Sequence, residues 1–583
     1  MLKINRPLAV LWLAVASALL ASCATVATPP AEKSVTLSLI GFNDFHGNLL
    51  PPGMTVPVKD HASGNVIKVP AGGMAYLSTL IRNLKAENPE RTLVVAAGDL
   101  VGASPQVSGM FHDEPTVDAL SRIGLELSTV GNHEFDKGRD EILRLQNGGC
   151  YPPSLDGTRG LVGTDTCMND GRFDGAKYRY LSANVVDQRT GQPLFPPYAV
   201  RNIGGVKVGF IGVTLKETPA VVTPKGIEGL RFEDEVGTIN RLIPELKSAG
   251  AAFVVVLLHQ GAATTAAAIN DSTCPGFSGK ALEIVDALDS AVEVVMSGHT
   301  HQEYVCRRPD GKLITQAGHY GRMATKIDLE VDPASGKVLN KSAQTYVAAN
   351  DDQLKDAGMD ALVQRYARLT AERADIVVAR ITAPLDRKAN AAGENTLGDV
   401  IADAYLFGTA GKDFGSRSAQ IALVNHGGIR ADLNLGLTVN YGQLYRVQPF
   451  SNTLITLELS GAQLLRLLEQ QWEQPQPKGG RMLSVSAGLA YAWDAGKPEG
   501  AAPGRGQRIV SGSLKLDGKT IDPVQIYRVV VNSYLASGGD NFTVLALVRP
   551  IQVSELDLEV LTAYLRAKMS VAVPLLDRIQ RRN

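Results

Sequence analysis

Short apolar runs alternate with helix-type segments along the first half of the chain. The runs have the length and the β-branched content that favour buried strands. They lie at residues 35–42, 92–97, 125–130, 206–213, 253–258 and 292–296. Between them, apolar residues recur at helical spacing in residues 71–84, 239–249 and 279–288. This alternation predicts an α/β sheet that is covered by helices.

Polar side chains that can bind a metal ion follow five of these runs. Five of the nine histidines in the chain lie at these positions. Because the carboxyl ends of the strands meet along one edge of an α/β sheet, we expect these side chains to form one site. Carboxylate, amide and imidazole groups without cysteine suit Zn, Mn, Co or Fe rather than a structural zinc site. The residues are Asp44, His46, Asp99, Asn132, His133, His259, His299 and His301.

Two of these strand ends have an informative local spacing. Residues i and i+2 of an extended chain share a face, so Asp44 and His46 can approach one ion. At residues 131–136, Asn132 and His133 are followed by the carboxylate of Asp136. This hexapeptide offers a metal ligand, an imidazole that can carry a proton and a carboxylate that can orient the imidazole. In the alternative interpretation His133 is the ligand and Asn132 is a structural cap.

The second half of the chain contains no further cluster of metal ligands. Spaced apolar residues at 351–374 predict a connecting helix, and a new α/β pattern begins near residue 376. Ser460 and Gln463 have capping-box spacing before a predicted helix at 462–471. We therefore divide the chain into a first domain, a linker helix and a second domain at residues 36–350, 351–375 and 376–583.

The composition limits the number of domains and the classes of binding partner but indicates no particular site. The 583 residues exceed what a single core usually holds, so two or more domains are expected. With 58 basic and 59 acidic residues, the molecule as a whole attracts neither nucleic acid nor acidic lipid. Any phosphate chemistry must therefore depend on a local site. A hydrophobic content of 44% with 58 glycines suits a globular, loop-rich α/β protein.

The N-terminus has the pattern of an export signal. Lys3 and Arg6 precede an apolar run at residues 8–21, which is too short to span a bilayer comfortably. The run ends in LASC, which resembles the bacterial lipobox, where the cysteine is lipidated. We expect a signal peptide at residues 1–22, lipidation of Cys23, and a short tether at residues 23–35. The protein would then be anchored on the periplasmic side of the outer membrane. The alternative is an ordinary cleaved signal with an incidental cysteine.

The remaining cysteines agree with export. Without Cys23 four of the five remain, and an even number suits disulfides in an oxidising compartment. Chain order favours the pairs Cys150 with Cys167 and Cys274 with Cys306, although the other two pairings stay possible. No CxxC motif occurs, so a zinc knuckle is not expected.

The first-domain motifs, taken in order, resemble those of the calcineurin-like metallophosphoesterases. The motifs are D-x-H, G-D, G-N-H-E, a single His and G-H-x-H. The whole chain resembles the 5′-nucleotidase family, which includes UDP-sugar hydrolases and 2′,3′-cyclic-nucleotide phosphodiesterase/3′-nucleotidases. This resemblance implies an α/β (α+β) fold. It comprises a four-layer β-sandwich flanked by helices, a linker helix and a second α/β domain that binds substrate.

The resemblance also implies roles for the first-domain residues. Two divalent metal ions are implied, with Asp99 as the bridging ligand. Asp44, His46 and His301 would hold one ion, and Asn132, His259 and His299 would hold the other. His133 would lie beside the metals and act on the phosphate, with Asp136 as its carboxylate partner.

In the second domain, the resemblance implies a nucleoside site. Phe450 and Tyr534 match the aromatic pair that stacks on the base, and Asp540 matches the acceptor for the ribose hydroxyls. Asn425, Gly428 and Arg430 would line the nucleoside and phosphate pocket. The phosphate-binding arginines that the family places upstream have no clear match here, and Arg387 is the nearest candidate.

These expectations lead to a functional hypothesis. The protein would use a metal-activated water to remove phosphate from nucleotides outside the cytoplasm, as a 5′-nucleotidase does. The alternatives are a cyclic-nucleotide phosphodiesterase/3′-nucleotidase, a UDP-sugar hydrolase, a sulfur-oxidation enzyme on the same fold, or a nucleotide-binding lipoprotein without catalysis. Contact with the membrane would be through the lipid alone. Neither a nucleic acid nor an obligatory protein partner is expected.

Overall fold

The computed structural model describes residues 34–60, 63–153, 159–220, 222, 224–410, 418–434, 436–450 and 452–583. The predicted signal peptide, Cys23 and nearly all of the tether lie outside these ranges. Within them, no helix is long and apolar enough to cross a membrane.

Two six-stranded sheets form the first domain. In spatial order, one consists of Val338–Val347, Met323–Val331, Val35–Phe42, Thr92–Ala96, Leu125–Thr129 and Arg179–Leu181. The other consists of Glu303–Arg307, Leu313–Ala317, Val292–Ser297, Phe253–His259, Val206–Thr214 and Tyr198–Ile203. In each sheet four consecutive strands are parallel, and the two remaining strands run antiparallel to their neighbours.

The sheets pack face to face through the apolar side chains that their strands direct toward each other. Leu37 and Leu39 on one sheet share a buried cluster with Phe210, Val255 and Val294 on the other. The opposite face of each sheet is covered by helices, so the domain has four layers. The helices are Met74–Ala86, Gln106–Gly109, Glu114–Arg122, Arg139–Asn147, Glu235–Ser248 and Lys280–Asp286.

The ligand-bearing strands belong to both sheets, which corrects the single sheet that the alternation of elements predicts. A buried apolar run has the same appearance in either sheet, so the sequence pattern cannot assign a strand to one of them. The sandwich implied by the family resemblance is confirmed. Two antiparallel two-stranded sheets, Met54–Lys59 with Val66–Ala71 and Val185–Asp187 with Leu230–Phe232, complete the domain.

The linker helix spans Ala357–Ala374 and starts later than the apolar spacing predicts. Leu354 lies in a preceding 3₁₀ turn and is 40% exposed. Asp356 accepts a hydrogen bond from the backbone N–H of Met359, which stabilises the first helical turn. Leu362 and Tyr366 are buried in the core of the first domain, so the linker helix packs as part of that domain.

A five-stranded sheet forms the centre of the second domain. Its strands, in spatial order, are Leu483–Val485, Ile421–Asn425, Ile526–Asn532, Thr453–Ser460 and Pro550–Leu556. A three-stranded sheet consists of Thr438–Asn440, Val377–Ile381 and Ser570–Val571. A four-stranded sheet consists of Lys519–Thr520, Lys515–Leu516, Leu489–Asp494 and Ile579–Arg582. The helices are Thr396–Gly408, Tyr441–Val447, Gly461–Glu469, Ser533–Ala536, Thr543–Ala546 and Asp557–Lys568. Ser460 and Gln463 form the predicted capping box.

Two disulfide bonds cross-link segments of the first domain. They join Cys150 to Cys167 and Cys274 to Cys306, which are the pairs that chain order favours. Each bond closes a loop, of 17 and 32 residues respectively, next to a segment with little regular structure. Such links limit the conformational freedom of the unfolded chain and thereby stabilise the folded one.

Candidate active site

The predicted metal ligands converge where strands of both sheets end. Five of them have left-handed backbone conformations, namely Asp44, His46, Asp99, His299 and His301, with φ between 47° and 72°. Residues with side chains rarely adopt this conformation, and it concentrates at functional sites where the surrounding structure enforces it. The fold therefore bends the chain sharply at each strand end and directs the side chain into a common space.

Three of the predicted ligands form a first group. The Nε2 atoms of His46 and His301 lie 3.2 Å apart, and His301 Nε2 is 3.4 Å from Asp44 Oδ1. Asp99 connects this group to the rest of the site, because its Oδ2 atom is 3.6 Å from His46 Nε2.

The second group forms on the other side of Asp99. Asp99 Oδ2 is 3.1 Å from His259 Nε2. The Oδ1 atom of Asn132 is 3.1 Å from His259 Nε2 and 3.0 Å from His299 Nδ1. The two groups thus share one carboxylate, as the family resemblance implies for a bridging ligand.

Backbone carbonyls orient two of the imidazoles. His46 Nδ1 donates to the carbonyl of Gly102 at 2.9 Å, and His259 Nδ1 donates to the carbonyl of Ala97 at 2.7 Å. A proton held on Nδ1 leaves the Nε2 lone pair directed into the site, which is the form that binds metal. Burial lowers the pKa of His46 to about 3 and that of His299 to about 4, so both rings are neutral.

These contacts fit divalent cations. The Nε2 atoms of His46 and His301 lie 3.2 Å apart, close enough for one cation to bind a lone pair of each ring. Burial lowers the pKa of His259, but the neighbouring carboxylate of Asp99 outweighs burial and raises that pKa to about 10. A cation bound here displaces such a proton, because metal ligands must be deprotonated.

Close packing of glycines brings the ligand loops together. A Cβ atom on Gly131 would lie 2.2 Å from Asp99 Oδ1, and one on Gly98, where φ is 79°, would lie 2.7 Å from the backbone nitrogen of Gly131. Larger residues at either position would separate Asp99 from Asn132. The two glycines of the G-D and G-N-H-E motifs are therefore steric requirements of the site.

Glu134 connects the same two loops through hydrogen bonds, a role that no local sequence motif indicates. Its buried carboxylate accepts hydrogen bonds from the backbone N–H groups of Asp99, Leu100 and Gly131 at 3.0, 2.7 and 2.6 Å. Three donors on one carboxylate fix the bridging aspartate relative to the Asn132 loop. The position of Glu134 beside His133 was visible in the sequence, but its partners were not.

His133 lies next to both groups and is directed by Asp136. Its Nδ1 atom is 2.8 Å from Asp136 Oδ2, and its ring centroid is 5.0 Å from that of His46. Burial lowers the pKa of His133, but the carboxylates of Asp136 and Asp99 raise it to about 9. The side chain is 24% exposed and faces a cavity, so it is accessible to a substrate.

That cavity has a volume of about 300 Å³ and spans the two domains. Arg430 lies over the ring of Phe450 at 5.5 Å, and this ring stacks against His133 at 6.1 Å. The first domain contributes Asn132, His133, Asp136, Val222 and His299 to the lining. The second domain contributes Asn425, Gly427, Gly428, Arg430, Phe450, Asn452, Arg481, Asn532, Tyr534 and Asp540.

A hydrogen-bond network closes the second-domain end of the cavity. Asp540 accepts from Asn425 Nδ2 at 2.8 Å and from the hydroxyl of Tyr534 at 3.1 Å. Arg481 also forms an ion pair with Asp540. Arg481 was not predicted, because no local motif marks it and its partner lies 59 residues further along the chain.

Arg387 does not line this cavity. Its backbone N–H and its Nε atom contact Asp432 Oδ1, and its Nη1 atom donates to the carbonyl of Ile429. These contacts connect the chain around residue 387 to the segment that contains Ile429 and Asp432. Among the described residues, Arg430 and Arg481 are the arginines that the cavity contains.

A cluster of this composition, at strand ends of a helix-flanked sandwich, is characteristic of the calcineurin-like phosphoesterases, which is the class that the fold and the site define. The family model described as calcineurin-like phosphoesterase matches residues 37–303. The model described as 5′-nucleotidase, C-terminal domain, matches residues 377–547. The chain belongs to the 5′-nucleotidase family.

Individual relatives extend over most of the chain. An endonuclease of Bacillus subtilis is 32% identical over 544 residues, and the match covers 93% of this chain but 40% of that protein. A cell wall protein of Listeria monocytogenes is 31% identical over 571 residues, covering 92% of this chain and 68% of that protein. The crystal structure of a 5′-nucleotidase precursor from Thermus thermophilus has a TM-score of 0.65 and 26% identity. It covers 94% of this chain, and all of that chain is matched.

Proposed function

We propose that this protein removes phosphate from extracytoplasmic nucleotides, as a 5′-nucleotidase does, and that it requires two divalent metal ions. The observation that supports this most strongly is the cavity of about 300 Å³ between the domains. One end of the cavity contacts the predicted metal ligands of the first domain, which we call the ligand cluster. The other end contacts the residues predicted to bind the base and the ribose. A nucleotide that spans it has its phosphate against the first domain and its nucleoside against the second.

The ligand cluster would hold the two ions. Asp44, His46 and His301 would bind one of them, Asn132, His259 and His299 the other, and Asp99 would bridge both. When bound, such ions neutralise the phosphate oxygens and lower the pKa of the attacking water. Asn132 adds an oxygen ligand without a further negative charge, which leaves the site more attractive to an anionic substrate.

His133 and Asp136 would act on the phosphate directly. The carboxylate of Asp136 holds the imidazole through Nδ1 at 2.8 Å, so Nε2 is free to meet a phosphate oxygen. From there it can donate a hydrogen bond to the charge that develops in the transition state, or a proton to the leaving oxygen. His133 is therefore assigned to catalysis and Asn132 to metal binding.

The second domain would recognise the nucleoside. Phe450 and Tyr534 line the same cavity, and flat rings stack on any nucleobase. Asp540 would accept hydrogen bonds from the ribose hydroxyls, while Asn425 and the backbone of Gly428 would contact the nucleoside. Arg430, which lies over Phe450, provides a planar guanidinium for the phosphate.

A location outside the cytoplasm is part of the proposal. This location is supported by the signal-like N-terminus with Cys23, by the two disulfides and by the similarity to a cell wall protein of Listeria. Cys23 would carry the lipid that holds the protein at the outer membrane. If it does, Cys23→Ser moves the protein from the membrane fraction to the soluble fraction of the cell envelope. Retention of that variant in the membrane would contradict lipidation.

A substrate panel tests the activity. The purified protein is assayed with AMP, 2′,3′-cyclic AMP, UDP-glucose and a chromogenic phosphodiester, in the presence of Mn²⁺ or Zn²⁺ and again with a chelator. We expect the highest kcat/KM for AMP and loss of turnover with the chelator. A higher value for the cyclic nucleotide or for UDP-glucose would assign the protein to that branch of the family. Absence of metal-dependent turnover with every ester would reject the enzyme, and nucleotide binding without turnover would then favour the non-catalytic alternative.

A further inference from the structure

A second cavity, of about 690 Å³, lies in the second domain beside the proposed nucleotide pocket. Its volume is within the range of small-molecule binding sites. We name it the extension cavity and define it by Ala391, Trp472, Arg481, Trp493, Arg508 and Arg581. None of the roles proposed above makes use of this space.

The extension cavity adjoins the nucleotide pocket. Four residues line both spaces, namely Asn425, Gly427, Arg481 and Asp540. In the proposed function the ribose hydroxyls lie against Asp540, which is part of this shared wall. A group attached to one of these hydroxyls therefore points toward the extension cavity.

Small residues account for the size of the cavity. One wall is formed by the loop before the helix Thr396–Gly408, where Ala389, Asn390, Ala391 and Gly393 line the space. These short side chains leave room that larger ones would fill. Ala391 is exposed, so its replacement by a larger residue does not disturb the buried core.

Guanidinium groups dominate the charge of the extension cavity. Arg481, Arg508 and Arg581 line it, against the carboxylates of Glu499 and Asp540. Arg508 is 3.6 Å from Glu499 at its nearest approach, and Arg481 pairs with Asp540. In the described part of the chain Arg581 has no carboxylate partner, and its guanidinium lies 5.6 Å from the centre of the Trp493 ring.

Two tryptophan rings pack against two of these arginines, Arg508 and Arg581. The guanidinium of Arg508 is 5.2 Å from the ring centre of Trp472 and 4.9 Å from that of Trp493. Arg508 also donates through Nε and Nη2 to the carbonyls of Asp494 and Ala495, so it is the stacked Arg581 that keeps N–H donors for a ligand. Fixed, planar donors of this kind recognise phosphate through paired hydrogen bonds.

We propose that the extension cavity binds a second phosphate group carried on a ribose hydroxyl of the substrate nucleotide. This inference rests on the proposed function, which places the ribose at Asp540. The preferred substrates are then nucleotides phosphorylated on the ribose as well as at the 5′ position, with adenosine 3′,5′-bisphosphate as the simplest example. Hydrolysis of the 5′ ester by water proceeds as for AMP, while the second phosphate only contributes to binding.

Tryptophan fluorescence provides a direct measure of binding. The chain has three tryptophans, of which Trp472 and Trp493 line the extension cavity, while Trp12 belongs to the predicted signal peptide. The full-length protein is titrated in the presence of a chelator, which prevents turnover, with AMP, adenosine 3′,5′-bisphosphate and inorganic phosphate. We expect the bisphosphate to change the fluorescence and to bind about tenfold more tightly than AMP, as an added charge-assisted contact provides.

Neighbouring arginines on one strand provide a matched control. Successive side chains of a strand point to opposite faces, and Arg581 lines the cavity whereas Arg582 does not. We expect Arg581→Gln to weaken bisphosphate binding about tenfold with little change for AMP, and Arg582→Gln to change both less than about twofold. Ala391→Phe, which fills the cavity without removing a charge, should cause a similar selective loss.

The same variants are then compared by the ratio of kcat/KM for the bisphosphate to kcat/KM for AMP, with metal present. Arg581→Gln and Ala391→Phe should lower this ratio, and Arg582→Gln should leave it unchanged. The inference is overturned if the wild-type protein binds AMP as tightly as the bisphosphate. It is also overturned if the two arginine variants behave alike, or if inorganic phosphate alone reproduces the fluorescence change at the same concentration. Active AMP hydrolysis with no preference for the bisphosphate rejects this inference alone, whereas no hydrolysis of either ester rejects the proposed function as well.

Discussion

The ligand cluster and the second-domain end of the cavity are built in different ways. Asp44 and His259 are completely buried, and Asp99 is 1% exposed. Their positions are set by strand ends, by strained backbone and by glycines that admit no other side chain. By contrast, the side chain of Arg481 is 47% exposed and is held by a single ion pair with Asp540.

This difference indicates where the site tolerates change. A ligand cluster works only if several atoms meet one ion within tenths of an ångström, so rigid elements must position them. Recognition of a nucleoside depends on stacking and on a few hydrogen bonds, which several side chains can supply. We therefore expect substitutions in the cluster to abolish activity and those in the second domain to adjust affinity and substrate preference.

The largest effect is expected for Asp99→Asn. The amide is nearly isosteric but lacks the charge that a bridging ligand provides, so activity on AMP should fall by about 10²–10³-fold or more. Metal content, measured by mass spectrometry of the purified protein, should fall at the same time. Asp310→Asn, on an exposed turn remote from the cluster, is the control. Full metal occupancy and activity in Asp99→Asn would contradict the bridging role.

His133→Ala separates chemistry from metal binding. Because His133 is assigned to the phosphate rather than to a metal, kcat should fall by about 10²-fold while both metal equivalents are retained. Asp136→Asn should cause a smaller loss in kcat, since it removes the group that directs the imidazole. If His133→Ala lost one metal equivalent, His133 would be a ligand and Asn132 the structural residue.

Phe450→Ala tests the nucleoside end of the cavity. Loss of one stacking ring should weaken AMP binding by about tenfold, in line with the ~1–3 kcal/mol measured for base stacking. Ribose 5-phosphate, which has no base, provides the control substrate. Its kcat/KM should change much less than that of AMP. Equal losses for the two substrates would show that Phe450 does not contact the base, and Tyr534→Ala can be judged by the same comparison.

The smallest effects distinguish the two candidate arginines of the second domain. Arg481 lines the cavity, so Arg481→Gln should raise KM for AMP by several-fold, about the value of one charge-assisted hydrogen bond. Arg387 is directed at Asp432 and Ile429 instead, so Arg387→Gln should change KM by less than about twofold. The reverse order would restore the phosphate role that the sequence indicates for Arg387.

Much of the architecture was accessible from local patterns. Buried runs of β-branched residues predicted the ligand-bearing strands, whose observed ends differ by at most one residue, as for Leu125–Thr129. Ser460 and Gln463 predicted a helix start, because a capping box depends only on groups three residues apart. Sheet membership was not accessible in this way. The pairing of Val35–Phe42 with Met323–Val331 joins segments almost three hundred residues apart, and burial gives both the same apolar pattern.

The candidate site shows the same distinction between local patterns and long-range contacts. The sequence alone indicated which side chains could bind metal, since Asp44 and His46 lie two residues apart, as do His299 and His301. Tertiary structure decided the rest, namely the bond from Glu134 to the Asp99 loop, the carbonyls that orient His46 and His259, and the choice of Arg481 over Arg387. The physical reason is that ligand chemistry is a property of side chains and their neighbours in the chain. Orientation, protonation and charge pairing arise from contacts between segments that only folding brings within hydrogen-bond distance.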